Sequence, residues 1–95
     1  MINEFEVGSF VVATAGHDSG ECYIVLKKEN EYVFLVDGRI RTLDRPKKKK
    51  VIHIRKLNYL DEDLAAKVKD ATVKNEEIKR AIKLLQYGKS SKEVE

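Results

Sequence analysis

The hydrophobic period changes once along this chain, at Leu57, and that change divides the fold. Up to Ile54 the apolar residues come in short β-branched and aromatic runs separated by glycine-bearing stretches; after Leu57 they recur three or four residues apart. Short runs bounded by turn residues are strands, and three-to-four spacing is one face of a helix. Residues 9–14, 22–28 and 32–36 give the first three strands. Residues 15–21 supply two glycines for the first reversal, and Asp37-Gly38 is a hairpin turn into a fourth strand at 39–43. Pro46, lacking an amide proton, interrupts pairing, and residues 51–54 resume as a short fifth strand. Five short antiparallel strands predict a small curled barrel, because closure removes the unpaired edges of an open sheet.

In the second part, Leu60, Leu64, Val68 and Ala71 form the apolar face of a first helix. Asp61, Glu62 and Asp63 stand at its start, where the helix dipole favours carboxylates. Asn75 is the expected N-cap of a second helix, with Ile78, Ala81, Ile82 and Leu85 as its buried face and Gly88 as its stop. Residues 89–95 have too little apolar content to pack and form a frayed tail. The fold class is therefore mainly β with C-terminal α, a barrel over residues 1–57 and a helical extension over 58–95.

At 95 residues the chain makes one small domain without room for a large enclosed substrate cavity. No apolar run approaches the roughly 20 residues of a spanning helix, and the first residues lack a secretory pattern, so a cytoplasmic location is expected. Cys22 is the single cysteine and cannot form an internal disulfide; it is a small strand hydrophobe. His17 and His53 have no partner set for a metal, and no cofactor motif is present. No Ser, Thr or Cys sits in a nucleophile elbow with a histidine base, and the paired acids at helix starts are explained by the dipole, so the chain is not expected to be an enzyme.

Charge is distributed very unevenly. Residues 39–56 carry +8, residues 1–38 carry −5, and residues 57–95 balance at zero. A cationic stripe on a mildly acidic body is the footprint of a polyanion binder. On a fourth strand with Ile40 inward, Arg39 and Arg41 would emerge together; on a fifth with Ile52 and Ile54 inward, His53 and Arg55 would emerge together. The candidate binding residues are Arg39, Arg41, Arg45, Lys47, Lys48, Lys49, Lys50, His53, Arg55 and Lys56. Arginine forks two hydrogen bonds to a phosphate or base and would orient the ligand, whereas lysine acts mainly as a point charge. Tyr23, Tyr32 and Phe34 could offer stacking surfaces, with core packing the better reading of Phe34.

Two strands flanking the glycine loop at 15–21, followed by Val33-Phe34-Leu35-Val36-Asp37-Gly38 and then Pro46-Lys47-Lys48-Lys49-Lys50, resemble a KOW motif. Residues 7–57 are similar to short bacterial KOW proteins related to large-subunit ribosomal proteins. The resemblance implies an SH3-like barrel that binds RNA, most often ribosomal RNA, with ribosomal proteins as further partners and no membrane. Many such loops carry a basic residue beside the second glycine, where this chain has Glu21, with Asp18 two residues before Gly20. Phosphate contact is accordingly assigned to residues 39–56, and Gly16, Gly20 and Gly38 are structural, with Gly20 the expected point of close approach. The competing reading is a protein-interaction module that meets a ribosomal protein or RNA polymerase through apolar surface, including any of Leu64, Val68, Ile78 and Ile82 left uncovered.

Overall fold

The computed structural model describes residues 4–94, with side chains described for residues 4–86. A five-stranded antiparallel sheet is followed by two helices: β1 Phe10–Ala13, β2 Cys22–Glu29, β3 Tyr32–Val36, β4 Lys47–Lys50, a 3-10 turn Val51–His53, β5 Ile54–Lys56, α1 Glu62–Lys69 and α2 Asn75–Val94. The strand order is β4-β3-β2-β1-β5. The first three strands fall where their apolar runs place them, and the last two do not.

Residues 39–43 are a loop, because Asp37 takes the amide protons a fourth strand would need. Its Oδ1 accepts from the backbone N–H of Arg39 at 2.9 Å, Ile40 at 3.1 Å and Arg41 at 2.9 Å. A short acidic side chain competes with ladder pairing in this way and turns the chain locally. The tight two-residue hairpin lies instead at Asn30-Glu31, between β2 and β3, with Asn30 at φ +54°.

The fourth strand is the lysine run itself, which begins directly after Pro46. Register pairs Phe34 with Lys48 and Val33 with Lys49, so alternate lysines face opposite sides of the sheet. Lysine-rich strands are suited to sheet edges, where their charge discourages further pairing. The next three residues form the 3-10 turn, which leaves Ile52 69% exposed and only Ile54 buried.

That turn also fixes the curvature. In a flat sheet, strands four places apart would lie about 19 Å from one another. Three 3-10 residues rise only about 2 Å each, yet they join β4 to β5 at opposite ends of the order. The sheet must therefore curl strongly. The turn is tied on both sides, Val51 N–H donating to the Glu31 carbonyl and the His53 carbonyl accepting from Thr14 N–H, each at 2.9 Å. Among the described residues β4 and β5 are not paired, so the sheet is curled but not closed into the barrel expected from the sequence.

Curling gives the sheet two apolar faces. Val11, Ala13, Tyr23, Val25, Val33, Leu35 and Ile54 bury one another on the inner face. On the outer face Phe10, Ile24 and Val36 pack against Leu64, Val68, Ile78, Ala81, Ile82 and Leu85 of the helices. Asp61 caps α1, accepting from Leu64 N–H at 3.1 Å. Asn75 does not cap α2; its Oδ1 accepts from Leu43 N–H at 2.9 Å and ties the 42–45 turn to the helix. Glu77 reaches back to Lys74 N–H at 2.9 Å in the manner of a capping box. α2 continues across Gly88 to Val94, since one interior glycine costs a helix only about 1 kcal/mol.

Gly38 and Gly8, rather than Gly20, are packed closely against other elements, Gly8 against Ala65 of α1. A Cβ on Gly38 would stand 2.7 Å from Lys79 N and closer still to the Asn75 carbonyl, whereas one on Gly20 would meet nothing within 4 Å. Gly20 is required for its φ of +92° alone.

Candidate functional site

The cationic segment is anchored by an ion pair between distant parts of the chain. Lys49 is 9% exposed, on the inner side of β4. Its Nζ donates to the Ala15 carbonyl at 2.9 Å and to Asp18 Oδ1 at 2.7 Å. Lys47, two residues back on the same side, lies 3.4 Å from Asp18 Oδ2. The Tyr23 hydroxyl donates to that same oxygen at 3.3 Å.

Burial acts to raise the Asp18 carboxyl, but the hydrogen bond from Lys49, a backbone hydrogen bond and the charges of Lys47 and Lys49 outweigh it and hold the group at about 2. Burial and the neighbouring carboxylates Asp18 and Asp37 push the Tyr23 phenol up to about 12. Of the two acidic residues that set this glycine loop apart, Asp18 is thus the counter-ion of the lysine strand.

The four lysines consequently differ. Lys49 is turned inward, with two of its three N–H donors committed, and Lys47 is partly neutralised. Lys48 and Lys50 are exposed on the outer side. Lys48 Nζ stands 4.5 Å from the Tyr32 ring centre and 5.8 Å from that of Phe34, and Lys27 Nζ stands 5.3 Å from Phe34. Each such contact at these half-buried rings contributes only about 0.5–2 kcal/mol, so these ammonium groups remain available to a stronger partner.

The remaining candidates are spread along the connecting elements. Arg39 and half-buried Arg41 flank Ile40, which is 73% exposed at the tip of the Asp37 loop, not inward as strand alternation predicted. Arg39, Arg41 and Lys47 share a cleft of about 480 Å³ with His17, Asp18 and Asp37. Arg45 is exposed in the turn beside Asp44, whose carboxylate is lowered by the hydrogen bond from Thr42 Oγ1 at 2.6 Å. His53 is exposed on the 3-10 turn, and Arg55 and Lys56 are exposed on β5. Gly16 and Gly20 shape the loop that holds Asp18, and Gly38 seats the Arg39–Arg41 loop against α2.

A second depression lies on the outer face between sheet and α1. It measures about 540 Å³ and is lined by Leu26, Phe34, Leu43, Pro46, Val68 and Val73, with Lys27 at its edge. Sequence patterning marked Phe34 as core and passed over Lys27. Lys27 joins this side because a register shift between Val25 and Lys27 pairs it with Phe34.

Among the described residues no group of three His, Cys, Asp or Glu side chains could hold a metal, and no helix is long and apolar enough to cross a membrane. Compared with known proteins, the chain matches no family model and no curated protein.

Proposed function

We propose that this chain is a non-catalytic, cytoplasmic RNA-binding protein of the KOW type, acting on ribosomal RNA or the ribosome, and that its curled sheet is an SH3-like barrel with the β4–β5 seam unpaired. The observation that carries the reading is the exposure of Arg39, Arg45, Lys48, Lys50, Arg55 and Lys56 along one stretch of chain that is held by Asp37 at its start, by the Lys49–Asp18 pair at β4 and by pairing with β1 at β5. Cations on a fixed framework meet phosphates without having to be ordered on binding, which favours affinity. Arg39 and Arg41 orient the RNA, and the exposed lysines add charge.

The protein-interaction reading loses the four helical residues named for it, since Leu64, Val68, Ile78 and Ile82 are all buried against the sheet, and keeps only scattered exposed apolar side chains such as Leu84 on α2. Sedimentation of a tagged copy from cell extract, followed by sequencing of its crosslinked RNA, tests the proposal. Co-migration with ribosomal particles and one reproducible ribosomal crosslink site are expected; migration at the top of the gradient without crosslinked RNA would reject it.

A further inference from the structure

We propose that the groove beside Phe34 seats one unpaired nucleobase of the bound RNA, with the adjoining phosphates meeting Lys27 and Lys48. This rests on the RNA-binding reading and adds to it the place where a base, as distinct from the backbone, is held. The groove's volume of about 540 Å³ lies in the ordinary range for small-molecule sites. Its walls are apolar, with the half-buried Phe34 ring among them; the cation that lines it is Lys27 on β2, and Lys48 on β4 stands outside it, 5.8 Å from the Phe34 ring centre.

Charge selects the occupant. Among the described residues no carboxylate lines this groove, whereas the cleft beside Arg39 and Arg41 includes Asp18, Glu21 and Asp37. An apolar recess whose charged lining residue is Lys27, with Lys48 near its aromatic wall, suits a flat, weakly polar group that carries negative charge on its flanks, which describes a nucleotide. The base must be unpaired, because a paired base is stacked inside its helix and cannot reach an aromatic ring. The ammonium groups now near Phe34 and Tyr32 do not block it: the flexible lysine stems can follow the phosphates, and a base stack of about 1–3 kcal/mol offsets the lysine–ring contact it displaces.

The test uses the full chain with a uridine-rich single-stranded RNA carrying 5-iodouridine, and with duplex RNA of the same length. Irradiation of the natural protein is expected to crosslink the single strand to Phe34. Phe34→Leu, folded by circular dichroism, is expected to weaken single-strand binding about tenfold while leaving duplex binding within twofold. Crosslinks confined to the 37–41 loop, or equal effects of Phe34→Leu on both RNAs, would overturn the base seat and leave the RNA-binding reading intact. Failure to bind either RNA would overturn both. Crosslinking of the natural chain decides the matter even if the variant does not fold. Should an acidic peptide compete for the groove more strongly than the single strand, the occupant is a protein segment and the assignment falls.

Discussion

Lys49 and Asp18, 31 residues apart in sequence, meet at 2.7 Å between Nζ and Oδ1, and through this pair the glycine loop after β1 holds the lysine strand β4 in place. A residue type chosen by sequence reasoning for phosphate affinity is here an internal strut. Loss of one partner from such a buried pair leaves the other charge uncompensated and is costly.

Acid stability should report on this pair. The Asp18 carboxyl is held at about 2 in the folded protein against 3.8 for the ordinary side chain. A depressed carboxylate stabilises the fold above its unfolded pKa and loses that contribution as pH falls through the folded value. Stability on the order of 2 kcal/mol should thus disappear between about pH 4 and pH 2. Urea unfolding across that range is expected to show the fall in the natural chain and a flatter profile in Asp18→Asn.

The lysines of β4 should separate by function. Lys49→Met is expected to cost about 2 kcal/mol of stability, less than the largest buried-pair losses because Lys47 still faces Asp18. It should change RNA affinity less than twofold at a temperature where the variant is folded. Lys48→Gln with Lys50→Gln should do the reverse, weakening binding to every RNA alike with little change in thermal midpoint. Equal RNA-binding losses for both variants would show that Lys49 turns outward on binding.

Gly38→Ala and Gly20→Ala distinguish close approach from backbone conformation. Both positions have positive φ, which costs a side chain about 1–2 kcal/mol. Only at Gly38 would the added Cβ collide with the backbone of α2. Thermal unfolding is expected to show a loss of about 1 kcal/mol at Gly20 and at least about 3 kcal/mol at Gly38.

Charge reversal at the glycine loop offers a gain-of-affinity test. Glu21 is exposed beside the Arg39 cleft, and its side chain is not part of the Lys49–Asp18 contact. Glu21→Lys should leave unfolding unchanged and raise RNA affinity several-fold at low salt, an effect that fades as salt is added. Abolished binding in a folded Glu21→Lys protein would make Glu21 a specific contact.

The first three strands and both helices were legible because each is specified by local pattern: the apolar runs of β1 to β3, the acidic first turns of the helices, and the centres of their apolar faces. Of the face expected for the first helix, Leu64 and Val68 are buried, whereas Leu60 precedes α1 and is 63% exposed and Ala71 follows it, exposed, at φ +61°. The fourth strand was not, because its inward side chain is a lysine whose partner lies across the fold, and no local alternation marks Lys49 as buried. Residues 39–43 looked like a strand because they alternate basic and apolar residues, but Asp37 captures three of the amides such a strand would use. Of the candidate site, the charge was visible in sequence. The groove was not, since it joins Phe34 and Pro46 to Val68 and Val73 from another part of the chain.

The salt dependence of RNA binding tests the central claim most directly. If the exposed cations of residues 39–56 neutralise about five phosphates, log affinity plotted against log salt should fall with a slope of roughly −3.5 to −4.5 for structured RNA. Removing Lys48 and Lys50 together should make that slope shallower by roughly 1.5 to 2. A nearly flat slope, unchanged in the double variant, would contradict an electrostatic RNA interface on this segment.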